Sequence, residues 1–109
     1  MCKKLTRIVI EDHTLRVIEA NCFMGSGLKE ITVPNSVTAL GNFAFSHCAA
    51  LKHVVFEDGS RLKSIGTSCF VGAGVEEINI PCGVMAVEKE AFRNCKNLKR
   101  VIFQCTNTL

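Results

Sequence analysis

Residues 28–51 read LKEITVPNSVTALGNFAFSHCAAL, and this stretch decides the fold because its opening pattern returns along the whole chain. The pattern is an apolar residue, two polar or charged residues and then three mostly β-branched or apolar ones. It occurs five times: Leu5-Thr-Arg-Ile-Val-Ile, Leu28-Lys-Glu-Ile-Thr-Val, Leu51-Lys-His-Val-Val-Phe, Val75-Glu-Glu-Ile-Asn-Ile and Leu98-Lys-Arg-Val-Ile-Phe. The copies start 23, 23, 24 and 23 residues apart. A fixed period of this kind indicates a stack of repeats.

Six apolar columns run down the copies, although only 48% of the 109 residues are hydrophobic. The columns are Leu5, Leu28, Leu51, Val75 and Leu98; Ile8, Ile31, Val54, Ile78 and Val101; Ile10, Val33, Phe56, Ile80 and Phe103; Leu15, Val37, Leu62 and Val84, with Leu109 as a plausible fifth member; Ile18, Leu40, Ile65 and Val87; and Phe23, Phe45, Phe70 and Phe92. One copy cannot bury such an edge alone. We therefore predict copies stacked as rungs of a parallel β-ladder.

Each copy predicts the same local structure. The opening pattern is short and β-branched, which favours a strand, and Pro34 and Pro81 are expected to end it because proline has no N–H to donate. A second extended piece carries the fourth and fifth columns, and one helical or 3₁₀ turn is expected around each Phe. An alternative for residues 87–99 is a single amphipathic helix, which would give an α+β sandwich instead.

The fold class predicted is thus a repeat solenoid of mostly short parallel β-strands with short helical or 3₁₀ turns. It would contain about 4.5 repeats of 23–24 residues. We expect a single solenoid over residues 1–109, divided into repeats 5–27, 28–50, 51–74, 75–97 and a partial repeat 98–109.

Two kinds of segment carry a family resemblance. Residues 31–37 (ITVPNSV) and 78–84 (INIPCGV) match a strand, Pro and Val pattern, and residues 40–48 (LGNFAFSHC) and 90–98 (EAFRNCKNL) match an Ala-Phe and Cys pattern. Together they resemble the BspA-like leucine-rich repeat. The resemblance implies a solenoid of the leucine-rich-repeat type and a surface protein, of bacteria or parasitic protists, that adheres to host cells and matrix proteins. It implies a cell-surface or secreted location, although the start of this chain lacks the apolar core of a signal peptide.

Composition narrows the functional classes. The formal net charge is only +3, and the chain has no Trp and no Tyr, so we expect no nucleic-acid partner. Apolar runs are a few residues long, and membrane insertion is not expected. The three histidines lack the i, i+3 or i+4 spacing of metal ligands, and no Cys-x-x-Cys is present. We therefore expect no enzyme activity, no metal and no cofactor.

Charged positions between the columns form the candidate site. One file runs Arg7, Glu30, His53, Glu77 and Arg100, and its signs nearly alternate, so neighbours could pair across the ladder. We predict a non-enzymatic protein-interaction module that binds a host-matrix or cell-surface type of protein through this face. The alternative is a structural spacer segment of a larger surface protein with no ligand of its own. The predicted ligand-binding residues are Arg7, Lys29, Glu30, Lys52, His53, Glu76, Glu77, Lys99 and Arg100.

The seven cysteines and the ends give further expectations. Cys22 and Cys69 stand where other copies have Ala and are expected in the core, whereas Cys48 and Cys95 are expected to satisfy loop backbone groups. Cys2, Cys82 and Cys105 are expected to be more exposed. Paired Gly-Ser-Gly and Gly-Ala-Gly turns predict positive φ. Neither terminal repeat has a polar cap, so we expect possible end-to-end self-association through the uncapped terminal repeats.

Overall fold

Short strands occur at the positions that the repeat predicts, in a computed structural model that describes residues 7–104 but not the side chains of Arg7 and Val9. The strands are β1 (Arg7–Val9), β2 (Val17–Ile18), β3 (Glu30–Val33), β4 (Ala39–Leu40), β5 (His53–Phe56), β6 (Ser64–Ile65), β7 (Glu77–Pro81), β8 (Ala86–Val87) and β9 (Arg100–Gln104). Odd-numbered strands come from the opening pattern and even-numbered strands from the fifth column and the residue before it. The result is a parallel β-solenoid of about four turns, as predicted.

Backbone pairing follows the columns. Ile8 pairs with Ile31, and Ile31 pairs with Val54, so column members are direct ladder neighbours. The even-numbered strands form one continuous sheet in the order β2-β4-β6-β8. Proline falls at the strand ends as expected, since Pro34 follows β3 and Pro81 is the last residue of β7.

The odd-numbered strands differ from the prediction of one continuous ladder. They form two separate sheets, β1-β3-β5 and β7-β9, and no ladder pairing joins β5 to β7. The break falls at the step of 24 residues, between the third and fourth copies. The fourth and fifth columns nevertheless stay in register, because β6 pairs with β8 through Ile65 and Val87.

Overlapping turns with i→i+3 hydrogen bonds surround each Phe, in line with the expected short helical or 3₁₀ turn. In the first rung the Cys22, Met24 and Ser26 amides donate to carbonyls three residues earlier. Asn21 has φ +63° and Gly25 has φ +70°. Left-handed residues at this spacing stop a helix from propagating, so residues 7–104 contain turns and no helix. The long helix considered for residues 87–99 is therefore wrong.

The core is a stack of equivalent side chains. The rings of Phe23, Phe45, Phe70 and Phe92 lie face to face, with centroids 5.4, 5.2 and 5.4 Å apart. Phe45 and Phe70 are fully buried, while the two outer rings are partly exposed. This spine confirms the sixth column of the repeat.

Candidate functional site

Strand pleating separates the core columns from one charged surface. In β5, for example, Val54 is 5% exposed and points inward, whereas Val55 is 50% exposed and points outward. We call the outward side of the odd-numbered strands, with the residue before each strand, the strand face. Its described charged members and histidine are Lys29, Glu30, Lys52, His53, Glu76, Glu77, Lys99 and Arg100.

Ion pairs connect neighbouring rungs on the strand face. The Arg100 guanidinium lies 2.8 Å from a Glu77 carboxylate oxygen, and the Lys52 ammonium lies 3.2 Å from Glu76. All four side chains are at least 41% exposed, so water weakens both pairs. The alternating file read from the sequence therefore produces the Glu77–Arg100 contact, whereas Lys52 and Glu76 pair in the neighbouring file. Arg7 is in register with Glu30, but its side chain lies outside the described part of the chain.

A groove lies on the strand face at the step between β5 and β7. A cavity of about 270 Å³ is lined by His53, Val54, Val55, Glu76, Glu77 and Asn79. A second cavity of about 360 Å³ lies one step away and is lined by Lys29, Glu30, Ala50, Lys52 and His53. His53 borders both cavities, so its ring separates two neighbouring depressions. We call the first cavity the β5–β7 groove.

The structure places the predicted site residues unevenly. Lys52, His53, Glu76 and Glu77 come together around the two cavities, whereas Lys99 and Arg100 lie beyond the groove on the last rung. Sequence reasoning did not select the groove residues Val55 and Asn79 as site residues. The one signal that could have found the groove is the 24-residue step, since the ladder breaks there.

The thiols of Cys48 and Cys95 serve the turns. The Cys48 thiol donates to the Phe23 carbonyl and the Cys95 thiol to the Phe70 carbonyl, both at 3.0 Å, as predicted. Burial raises the pKa of both thiols, and it raises the pKa of the buried Cys69 thiol to about 12. A thiol with a raised pKa is a poor nucleophile at neutral pH.

Two other cysteines complete the comparison with the sequence. Cys22 is exposed, so the expectation that it lies in the core is wrong. It occupies the first described rung, where no described rung covers its outer side. Cys82 is exposed, as predicted, and is disulfide-bonded. Cys2 and Cys105 lie outside the described residues.

Within residues 7–104, no group of three or more His, Cys, Asp and Glu side chains could hold a metal ion. Nor does that part of the chain contain a helix with the length and apolar character needed to cross a membrane.

Positive φ at Gly25 and Gly72 explains the first glycine of each Gly-x-Gly turn, as expected.

A stack of β-strand rungs with a Phe spine and a Cys-capped turn defines the protein as a leucine-rich-repeat solenoid. The family model described as "BspA type Leucine rich repeat region" matches residues 1–109 in six copies. The chain therefore belongs to the BspA-type leucine-rich-repeat family. This family is typically non-enzymatic and indicates a protein-interaction or surface-repeat role.

Solved structures share the fold. The pneumococcal vaccine antigen PcpA is 26% identical with a TM-score of 0.81, and the match covers 91% of this chain and 28% of the antigen. A leucine-rich repeat protein of Bacteroides capillosus is 26% identical with a TM-score of 0.80, covering 94% of this chain and 79% of that protein. A leucine-rich cell surface protein of Faecalibacterium prausnitzii is 23% identical with a TM-score of 0.61, covering 91% and 36%. A comparison with curated protein sequences gave no significant match.

Proposed function

We propose that this chain is a non-enzymatic module that binds a protein ligand, of the host-matrix or cell-surface type, through the strand face. Membership of the BspA-type family supports an interaction role. The likeness to a pneumococcal vaccine antigen supports a ligand outside the cell, although this chain spans only 28% of that protein. The disulfide at Cys82 is consistent with an oxidising compartment.

One observation carries the proposal: the β5–β7 groove combines an exposed apolar side chain with a charged rim. Val55 is 50% exposed, and His53, Glu76 and Glu77 surround it along the groove. Protein interfaces have this composition, with an apolar centre that becomes dry and polar groups that remain at the edge. A side chain of a ligand could enter the groove and cover Val55.

The ion pairs next to the groove also favour binding. Lys52 pairs with Glu76, and Arg100 pairs with Glu77, so these contacts favour one arrangement of the acidic rim before a ligand arrives. Side chains that are already ordered lose less entropy when a complex forms. The strand face is thus a charged, ordered surface with a depression near its middle.

The same ion pairs also favour a second candidate function, that of a structural spacer. Charges that satisfy each other within the chain need no ligand, and their contribution could be to hold the rungs in register. A spacer would bind nothing through the strand face. Its charge variants would change stability alone.

A binding assay with matched variants tests the proposal. The probes are purified fibronectin, laminin and collagen, each immobilised for surface plasmon resonance. The face variant is Lys52→Glu with Lys99→Glu, and the control is Lys63→Glu with Lys89→Glu, which makes the same charge change on exposed lysines outside the strand face. We expect at least one probe to bind, and the face variant to lose that binding while the control keeps it.

A groove variant sharpens the assay. Val55→Lys puts a charge at the apolar centre of the β5–β7 groove without removing any ion pair. We expect it to weaken binding about tenfold or more, since an apolar anchor at an interface centre contributes most of the affinity. Equal binding by all variants would contradict the strand face as the site. No binding to any probe would contradict a matrix ligand and favour the spacer.

A further inference from the structure

We propose that a notch among the turns that follow the Phe residues of three successive rungs binds an acidic sugar, that is, a sugar that carries a carboxylate. We call it the turn notch. It is a cavity of about 530 Å³, and its lining includes His47, Gly72, Gly74, Asn94, Lys96 and Asn97. None of these residues belongs to the strand face, so the proposal is independent of the function proposed above.

The turn notch lies inside the stack, with a described turn on each side of its floor. The third turn, Gly72-Ala73-Gly74, forms the floor between the second turn and the fourth. The His47 amide donates to the Val71 carbonyl at 2.7 Å, and the Gly72 amide donates to the Arg93 carbonyl at 2.9 Å. The three turns are therefore hydrogen-bonded neighbours, and the notch does not depend on what lies beyond either end of the stack.

Two glycines keep the floor of the turn notch free of side chains. Gly72 has φ +70°, and a Cβ there would lie 2.8 Å from Nδ1 of His47. A Cβ on Gly74 would collide with the Ala49 carbonyl oxygen. The His47 ring therefore lies against the bare backbone of the third turn. His47 and Asn94 rise on either side of that turn, which makes it lower than its neighbours.

The polar side chains of the turn notch are available to a ligand. Within the described part of the chain, four of them make no hydrogen bond or ion pair: His47, Asn94, Lys96 and Asn97. The strand face differs, because Lys52 there is already paired with a carboxylate. No acidic residue is among the described residues that line the notch, so an anionic group would meet no repulsion from its walls.

These side chains match the chemistry of an acidic sugar. Lys96 carries a positive charge that can form a charge-assisted hydrogen bond to a carboxylate. The amides of Asn94 and Asn97 both donate and accept, as does a neutral imidazole, and sugar hydroxyls need partners of both kinds. The volume of the notch also lies in the range of roughly 300–1,000 Å³ that is usual for small-molecule sites.

An acidic side chain of a protein ligand fits the turn notch less well. It would satisfy Lys96 with its carboxylate, but it has no hydroxyl groups for the two asparagine amides. A neutral sugar would satisfy the amides and leave the ammonium group without a counter-charge. A ligand with a carboxylate and several hydroxyls serves both kinds of group at once.

NMR titration of the isotope-labelled chain tests the proposal with three probes: glucuronate, glucose as the matched neutral sugar and acetate as the bare carboxylate. We expect glucuronate to shift the amide resonances of Gly72, Gly74 and Asn94 in a saturable way. Glucose and acetate should bind about tenfold more weakly or less, since each lacks one of the two kinds of contact. Acetate binding as tightly as glucuronate would overturn the sugar in favour of a carboxylate alone.

Variants of the turn notch locate the site. Lys96→Gln should weaken glucuronate binding about tenfold, because it removes the charge-assisted hydrogen bond, and Lys96→Arg should retain most of the binding. Asn94→Gly should also weaken it, since glycine keeps the φ of +60° and only the amide is lost. The control is Lys89→Gln, which removes the same charge from an exposed lysine of the same rung outside the notch.

Three results would overturn the proposal. They are the absence of glucuronate binding, equal binding of glucose, and binding that Lys96→Gln and Asn94→Gly leave unchanged. Each of them would leave the strand face untested and its proposed ligand unaffected, because the surface plasmon resonance assay probes other residues.

Discussion

Interior rungs and the last rung carry equivalent column residues that differ in how deeply they are buried. Ile65 and Val87 are ladder partners in the fifth column, yet Ile65 is fully buried and Val87 is 40% exposed. The comparison shows that a fifth-column residue with described rungs on both sides is more buried than its ladder partner in the outer rung. In a solenoid, stability is therefore a sum over neighbouring rungs, and the cost of a substitution should depend on its position in the stack.

The Phe spine gives the largest expected difference between interior and outer rungs. Phe45→Ala removes a fully buried ring that stacks on two neighbours, and we expect it to lower the free energy of unfolding by about 3–5 kcal/mol. Phe92→Ala removes a half-buried ring that stacks on Phe70, so the expected loss is smaller. Urea denaturation of the two variants measures both losses. Equal losses would contradict rung-by-rung stability.

The next largest effect on stability is expected from a glycine that lies between two interior rungs. A Cβ on Gly66 would lie 2.8 Å from the Gly41 carbonyl carbon of the preceding rung and 2.6 Å from the Asn42 side-chain oxygen. Gly66→Ala should therefore force two rungs apart and cost about 1–3 kcal/mol. Gly83→Ala is the matched control, because its nearest neighbour would lie 3.5 Å away and neither glycine has a positive φ. Thermal unfolding of Gly83→Ala should match the wild type within about 0.5 kcal/mol.

The buried thiol of Cys69 makes the core sensitive to alkaline pH. Burial raises its pKa from 9.0 to about 12, so the folded state favours the neutral thiol. This stability is fully present below pH 9 and is lost as the pH rises towards 12, because the unfolded chain releases the proton first. From about pH 8 to about pH 10 the expected loss is about 1.4 kcal/mol.

Cys69→Ala isolates that contribution. The equivalent positions in the two neighbouring copies are Ala44 and Ala91, both buried, so alanine fits the site. Urea denaturation at the two pH values should show a loss about 1.4 kcal/mol smaller for Cys69→Ala than for the wild type. Identical losses would show that the Cys69 thiol ionises as easily in the folded state as in the unfolded chain.

Structural features that recur in every copy can be predicted from the sequence, whereas a feature that occurs in only one copy cannot. Column identity predicts the strands, the register and the Phe spine, because each rung makes the same contacts. Cys48 and Cys95 are predictable for that reason, and their thiols do cap the same carbonyl in two rungs. The burial of Cys22 is predicted wrongly, since its column cannot show whether a rung lies on its outer side.

The β5–β7 groove is the other feature that the repeat does not predict. It lies at the one step where the ladder of odd-numbered strands is not paired, beside residues that look regular, and Val55 and Asn79 line it. The predicted site residues other than Arg7 lie on the strand face, but their role in binding stays a prediction. The turns around each Phe keep the i→i+3 hydrogen bonds of a short 3₁₀ turn. They do not extend into a helix because residues such as Phe43, Ser68 and Glu90 are left-handed, and nothing in the sequence signals a positive φ there.

The two ion pairs are expected to have the smallest effect on stability. Their coupling energies allow the step at the groove to be compared with the step to the last rung. Glu77–Arg100 joins paired strands, whereas Lys52–Glu76 bridges the step where the ladder is broken. Double-mutant cycles with Glu77→Gln and Arg100→Gln, and with Lys52→Gln and Glu76→Gln, measure the two coupling energies. Both should lie at about 0.2–1 kcal/mol and fall in 1 M salt, since the side chains are exposed. Without a ladder to fix its register, the Lys52–Glu76 pair should be the weaker one. A stronger coupling there would mean that this ion pair, rather than the backbone, holds the rungs together at the break.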